Sequence, residues 1–305
     1  MTRHRGGFAC LGVFALAWGA AVAVLAAHGS EAVGDGVAVM AVFGIALPAL
    51  GWLLTLGETA PTVPVRRRWF ELGAVLAYLA LYAIFFTGWG LSAFHAAFPP
   101  GQTEQLLLVG LKLAVHVALP ALLVLAIGGA LRPLIQARLN TRGFWLVLII
   151  LGAAVLGVLS VISPALNQLR GLHADPQTLS LAIGASFVWH AIEAGLCEEF
   201  LFRAVLQTRL AAVLKTEAGA AAIAALVFAL VHVPGLWLRS GADVAGHSQS
   251  LADVIAYAIA VLAPTGLFLG FIWARTRSLL LVVMIHALID VLPNTAQFAH
   301  TWMGL

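Results

Sequence analysis

Apolar positions run along this chain in long stretches, and polar positions fall mostly between the stretches. About 20 consecutive apolar residues are what a helix needs to cross the hydrocarbon core of a bilayer. Nine such runs can be drawn, near residues 8–27, 37–56, 70–94, 106–131, 143–164, 181–212, 218–238, 252–274 and 278–293. The pattern predicts an all-α, polytopic transmembrane helix bundle of about nine spans, the last one short. The first run follows Met1-Thr2-Arg3-His4-Arg5 and is longer than a usual signal-peptide core, so it reads as an uncleaved anchor. The sixth is the longest, continuing from about Leu179 to Leu214. Its later part keeps Val205, Leu206, Leu210, Val213 and Leu214 on an apolar face, which turns Gln207, Arg209 and Lys215 toward water or headgroups.

Composition agrees with the pattern. The chain is 62% hydrophobic and 10% charged, with a mean hydropathy of +1.01, whereas soluble domains carry roughly a quarter charged residues. Charge then orients the bundle. With the N-terminus in the cytoplasm, that side receives Arg3, Arg5, Arg66, Arg67, Arg68, Arg132, Arg138, Arg142, Arg209, Lys215, Arg275 and Arg277, and the other side only Arg170 and Arg239. This is the positive-inside asymmetry, and it explains the pI near 9.2 without nucleic-acid binding. Cys10 and Cys197 both fall in predicted spans, too few and too separated for a disulfide framework, and Cys197 reads as a small buried thiol.

Against this background the costly stretch is Glu198-Glu199-Phe200-Leu201-Phe202-Arg203. A charge at the middle of a spanning helix costs about 2.5 to 3.5 kcal/mol on insertion scales, and an apolar residue returns only about 0.3 to 0.6. Glu199 and Arg203 are four apart and can pair, while Glu198 points about 100° away beside the small residues Ala191, Ala194 and Gly195. Two further intrusions follow. Phe228 to His232 lies on the seventh span just before Pro234-Gly235, and His286 and Asp290 share a face of the ninth. Measured from the cytoplasmic helix ends, Glu198, His232, His286 and Asp290 fall at similar depths, about 12 to 21 Å. Three helices thus bring two carboxylates and two imidazoles into one slab. His190 and Glu193 lie nearer the start of the sixth span, as outer polar neighbours. Lys112 and His116 share a face of the fourth span, where the Lys either reaches a water-filled cavity or pairs with an acid on another helix.

In order along the chain, Glu198-Glu199-x-x-x-Arg203, Phe228-x-x-x-His232 and His286-x-x-x-Asp290, with Arg275 to Leu279 leading into the last, resemble the motifs of the CAAX protease and bacteriocin-processing (CPBP, or Abi) family of intramembrane endopeptidases. The likeness covers roughly residues 140–295. It implies cleavage of a membrane-anchored protein within the bilayer. On that reading Glu198 activates a water with help from His232, His286 with Asp290 stabilises or orients the oxyanion site, and Glu199 and Arg203 stand behind them. Asp290 departs from relatives that carry Asn there; it is protonated, orients His286, or ligates a metal. The expected cofactor is none. The alternative is a zinc-dependent variant drawing ligands from His232, His286, Glu198 and Asp290.

The basic stretch from Arg132 to Gly143 suggests a division into accessory N-terminal helices, 1–140, and a protease core, 141–305. The Ala-, Gly- and Leu-rich composition suits a bacterial inner membrane. Two readings from other classes compete: a non-catalytic immunity or assembly factor, and a proton- or ion-coupled transporter. The lack of matched broken helices in two halves weighs against the transporter.

Overall fold

The structure is a computed structural model describing residues 2–239 and 246–305; Met1 and the side chains of residues 2–5 and 239, which include the Arg3, Arg5 and Arg239 of the charge count, lie outside the description. Among the described residues there is no strand, and nine helices are long and apolar enough to cross a membrane. They are α1 (Gly6–Ala27), α2 (Ala32–Leu54), α3 (Arg68–Ala97), α4 (Gln102–Ala126), α5 (Arg142–Ile162), α6 (Pro176–Leu214), α7 (Glu217–Leu238), α8 (Leu251–Thr276) and α9 (Leu279–Met303). The last is not short. It continues through Pro293 to Met303, where its C-terminal turns carry Phe298 and Trp302, which stack on each other and contact the tilted ring of Trp189 on α6.

Large apolar side chains such as Phe8, Leu16, Trp69, Trp89 and Val161 are exposed on the outside of the bundle. In water that surface would drive aggregation; against lipid tails it is matched. The interior is arranged around α7, which packs on α8, α1 and α3, while α9 packs on α6 and α5. Small residues set these distances. A Cβ on Gly195 of α6 would lie 2.9 Å from the Val283 carbonyl oxygen of α9, so the absence of a side chain is what lets the two helices approach.

The helix ends follow from local chemistry. Asp175 caps α6, accepting from the amides of Gln177 and Thr178 at 2.9 and 3.0 Å just before Pro176, and the Thr178 hydroxyl and these amides hold its carboxyl below the usual range. Ser278 caps α9 through the Leu281 amide, and Lys215 and Arg277 adopt left-handed backbone that reverses the chain between α6 and α7 and between α8 and α9.

Three loops expected on one side meet there. The Leu279 amide donates to the Gln136 carbonyl at 3.0 Å, Arg67 to the Ile127 carbonyl at 2.8 Å, Arg275 to the Thr55 hydroxyl at 2.9 Å, and the Gly143 amide to Glu58 at 3.0 Å. The basic residues of this end are therefore partly structural clasps. Two polar residues of α6 depart from its amphipathic pattern. Arg209 is 2% exposed, with Nε 3.4 Å from Glu71 Oε2 of α3, and the fully buried Gln207 donates to the Gly270 carbonyl of α8 at 2.8 Å. Neither faces water, because α3 and α8 cover the polar side of α6; Lys215, at the end of the helix, is exposed as the pattern requires.

Candidate active site

The α6 segment that carries the acids is not regular α-helix. Wider π-helical turns cover Ala191–Leu196 and Phe200–Gln207, on either side of Cys197–Glu199. Such turns commonly mark functional sites. Bonding between residues five apart brings Glu193 and Glu198 toward one face, and both approach α4 as a result.

Glu199 is fully buried. Its Oε1 lies 2.7 Å from Nδ1 of His286 and 3.2 Å from Nη1 of Arg203. Arg203 in turn donates to the Gly266 carbonyl at 3.3 Å and lies over the Phe228 ring at 4.6 Å. The i, i+4 pairing of Glu199 and Arg203 is as the spacing predicts, but the contact from Glu199 to His286 crosses between helices, and α6 alone gave no sign of it. His286 presents its other nitrogen to two more acids: Nε2 is 3.4 Å from Asp290 Oδ2 and 3.9 Å from Glu198 Oε2. The imidazole is thus fixed on one side and turned toward Glu198 and Asp290 on the other.

His232 reaches the same place from α7. Its Nδ1 is 2.6 Å from the Phe228 carbonyl one turn earlier, so that nitrogen is the donor and Nε2 is left as an acceptor. Its ring meets Phe228 edge to face at 4.7 Å, and Phe228 meets Phe202 at 5.2 Å. The Phe of the α7 motif is therefore the hinge between the Arg203 guanidinium and the His232 imidazole.

A cavity of about 260 Å³ opens beside Glu198 and His232. Lys112 and His116 of α4 line it, as do Tyr82, Phe86 and Thr87 of α3. His116 is nearly fully buried, with Nδ1 3.0 Å from the Lys112 carbonyl and Nε2 2.8 Å from the Tyr82 hydroxyl. Lys112 pairs with Glu193, which His190 also approaches at 3.7 Å. The polar pair on α4 was visible as an i, i+4 spacing; Tyr82, an aromatic in an apolar run, carried no signal. Cys197 is fully buried and donates to the Ile192 carbonyl at 3.4 Å, as a structural thiol does.

Among the described residues no three His, Cys, Asp or Glu side chains converge as a metal-ligand set. The imidazole nitrogens nearest the main chain and Glu199 are already engaged, leaving one nitrogen each on His232 and His286 toward the site.

Residues 180–292 match the family model described as Type II CAAX prenyl endopeptidase Rce1-like. This segment is similar to that family. The match is narrower than the motif likeness, which extended to about residues 140–295, yet it contains Glu198, Glu199, Arg203, His232, His286 and Asp290 together. It points to an intramembrane endopeptidase carried by an integral membrane protein. No curated protein and no solved structure matches the chain. Lys112, His116 and Tyr82 lie outside the Rce1-like segment and still face its acids, so the cavity is built from both halves of the sequence.

Proposed function

We propose that this protein hydrolyses a peptide bond of a membrane-anchored protein within the bilayer, without a metal. The observation that supports it best is the position of Glu198, whose carboxylate lines a cavity shared with His232 while one oxygen lies 3.9 Å from His286 Nε2. A water held between Glu198 and His232 loses a proton to the carboxylate as its oxygen bonds to the scissile carbonyl carbon, with His232 Nε2 accepting from the water to aim it. The carbonyl oxygen becomes an oxyanion. When His286 carries protons on both nitrogens, Nδ1–H goes to Glu199 and Nε2–H is left to donate to that oxyanion. Asp290, beside the same nitrogen, orients the ring. The proton held by Glu198 then passes to the leaving amine as the C–N bond breaks.

Arg203 supports this indirectly by holding Glu199 in place. The orientation that fits the loop charges has the N-terminus in the cytoplasm and the C-terminus outside, in a bacterial inner membrane.

The test is cleavage of co-reconstituted membrane-anchored segments by wild type, Glu198→Gln and His232→Ala, each with and without a strong zinc chelator. Product from wild type, lost in both variants and unaffected by chelation, is the expected result. Product that persists in Glu198→Gln would sink the reading, and loss on chelation would move the chemistry to a metal.

A further inference from the structure

The cavity beside Glu198 has a mixed wall, apolar at Phe86, Leu91 and Leu236 and polar at Thr87, His116 and His232. One fixed cation, Lys112, lines it as well. A buried ammonium is expensive unless paired, and Lys112 is paired with Glu193 of α6. The pairing does not exhaust it. An ammonium has three N–H donors, and Glu193 is the one side-chain acceptor that Lys112 meets among the described residues. Glu193 for its part has a second nitrogen at hand, His190 Nδ1 at 3.7 Å, which can take over part of the pairing. His116, one turn further along α4, is held between the Lys112 carbonyl and the Tyr82 hydroxyl. The backbone of α4 is thus tied at Lys112, whose side chain lines the cavity and pairs with Glu193.

We propose that Lys112 is a specificity residue that binds a carboxylate of the bound substrate. The inference rests on the proteolytic reading above and adds to it the charge of the segment being cut. An anion entering this cavity can reach Lys112 inside the helix bundle, where a charge-assisted hydrogen bond counts for more than at a surface. A neutral segment of the same shape leaves that ammonium with Glu193 alone. The carboxylate has two chemical sources, the free C-terminus of the substrate and an acidic side chain near the scissile bond.

The experiment uses reconstituted full-length protein and one synthetic membrane-anchored segment that wild type cleaves, prepared in matched forms. One pair ends in a free acid or a C-terminal amide; a second pair carries Glu or Gln beside the scissile bond. The expected result is a KM lower by about tenfold or more for the anionic member of one pair, with kcat little changed. Which pair discriminates identifies the source. Lys112→Met should erase the discrimination, and Lys112→Arg should keep most of it. The inference is overturned if wild type treats both pairs alike, or if Lys112→Met slows the anionic and neutral forms by the same factor, which is what a purely structural Lys would do. The wild-type comparison needs no variant to fold. Should wild type cleave none of a broad set of segments, the proteolytic reading itself falls and this one with it; cleavage without discrimination removes only the role of Lys112.

Discussion

Glu199 and His286 meet at 2.7 Å across the α6–α9 interface, and this contact decides which nitrogen of the imidazole faces Glu198 and Asp290. With Nδ1 held by a buried carboxylate, Nε2 is the atom left for Glu198 and Asp290 and, on the proposed mechanism, for the substrate carbonyl. Replacing His286 by Ala should lower kcat by about 10²- to 10³-fold, the usual loss when one oriented oxyanion donor is removed. KM should change far less. A wild-type rate in that variant would take His286 out of the chemistry.

Glu199 serves two partners, and its neutral isostere should fail one of them. In Glu199→Gln the amide oxygen can still accept from His286 Nδ1, but Arg203 becomes an unpaired buried cation. Removing one partner of a buried pair costs about 3 to 5 kcal/mol. Unfolding in detergent should therefore shift strongly for Glu199→Gln. Glu198→Gln, which leaves Arg203 paired, should stay close to wild type in stability while losing activity. Equal stability of the two variants would contradict this division of labour between adjacent acids.

Arg209 and Glu71 form a second buried pair, and neither lines the cavity. Glu71 Oε1 also accepts the amides of Arg66 and Arg67 at 3.0 Å, so the pair ties α6 to the start of α3. Arg209→Leu should destabilise by about 3 to 5 kcal/mol, and adding Glu71→Leu should restore part of the loss, because two apolar residues leave no orphaned charge. Thermal unfolding of the single and double variants measures it. A double variant no better than the worse single one would mean that the backbone contacts of Glu71 matter more than the pair.

Gly195 tests the packing that brings α6 and α9 together. A methyl group there meets the Val283 carbonyl oxygen at 2.9 Å and Val283 Cγ1 at 3.2 Å. Gly195→Ala should cost about 1 to 3 kcal/mol by overpacking and should lower the cleavage rate as His286 moves away from Glu198. Unchanged stability and rate would show that α9 can shift without disturbing the site.

Much of the site can be read from residue types alone. A Glu-Glu-x-x-x-Arg inside a span is so costly in lipid that a partner and a purpose are implied, and common depth on three helices groups His232, His286 and Asp290 with it. Reading beyond those helices is harder. Lys112 and His116 stand out as polar residues in an apolar span, but nothing along α4 says which acid they face. Tyr82 is indistinguishable from a core aromatic until α3 is laid beside α4. The amphipathic pattern assigned Gln207 and Arg209 to water because periodicity separates polar from apolar faces and cannot say whether another helix or solvent covers the polar one.

The sequence by itself determined the nine spans, the alternation of basic loops that meet at one end, and the residues able to carry chemistry, since each follows from transfer energies and local spacing. Only the tertiary structure decided the partners. Glu199 reaches His286 rather than Arg203 alone, Arg209 finds Glu71, and α3 and α4 complete the cavity around Glu198. Inside a bundle the partner of a buried charge is set by which helices pack together, and that choice depends on small residues such as Gly195 and on π-helical turns whose effect appears only when two helices touch.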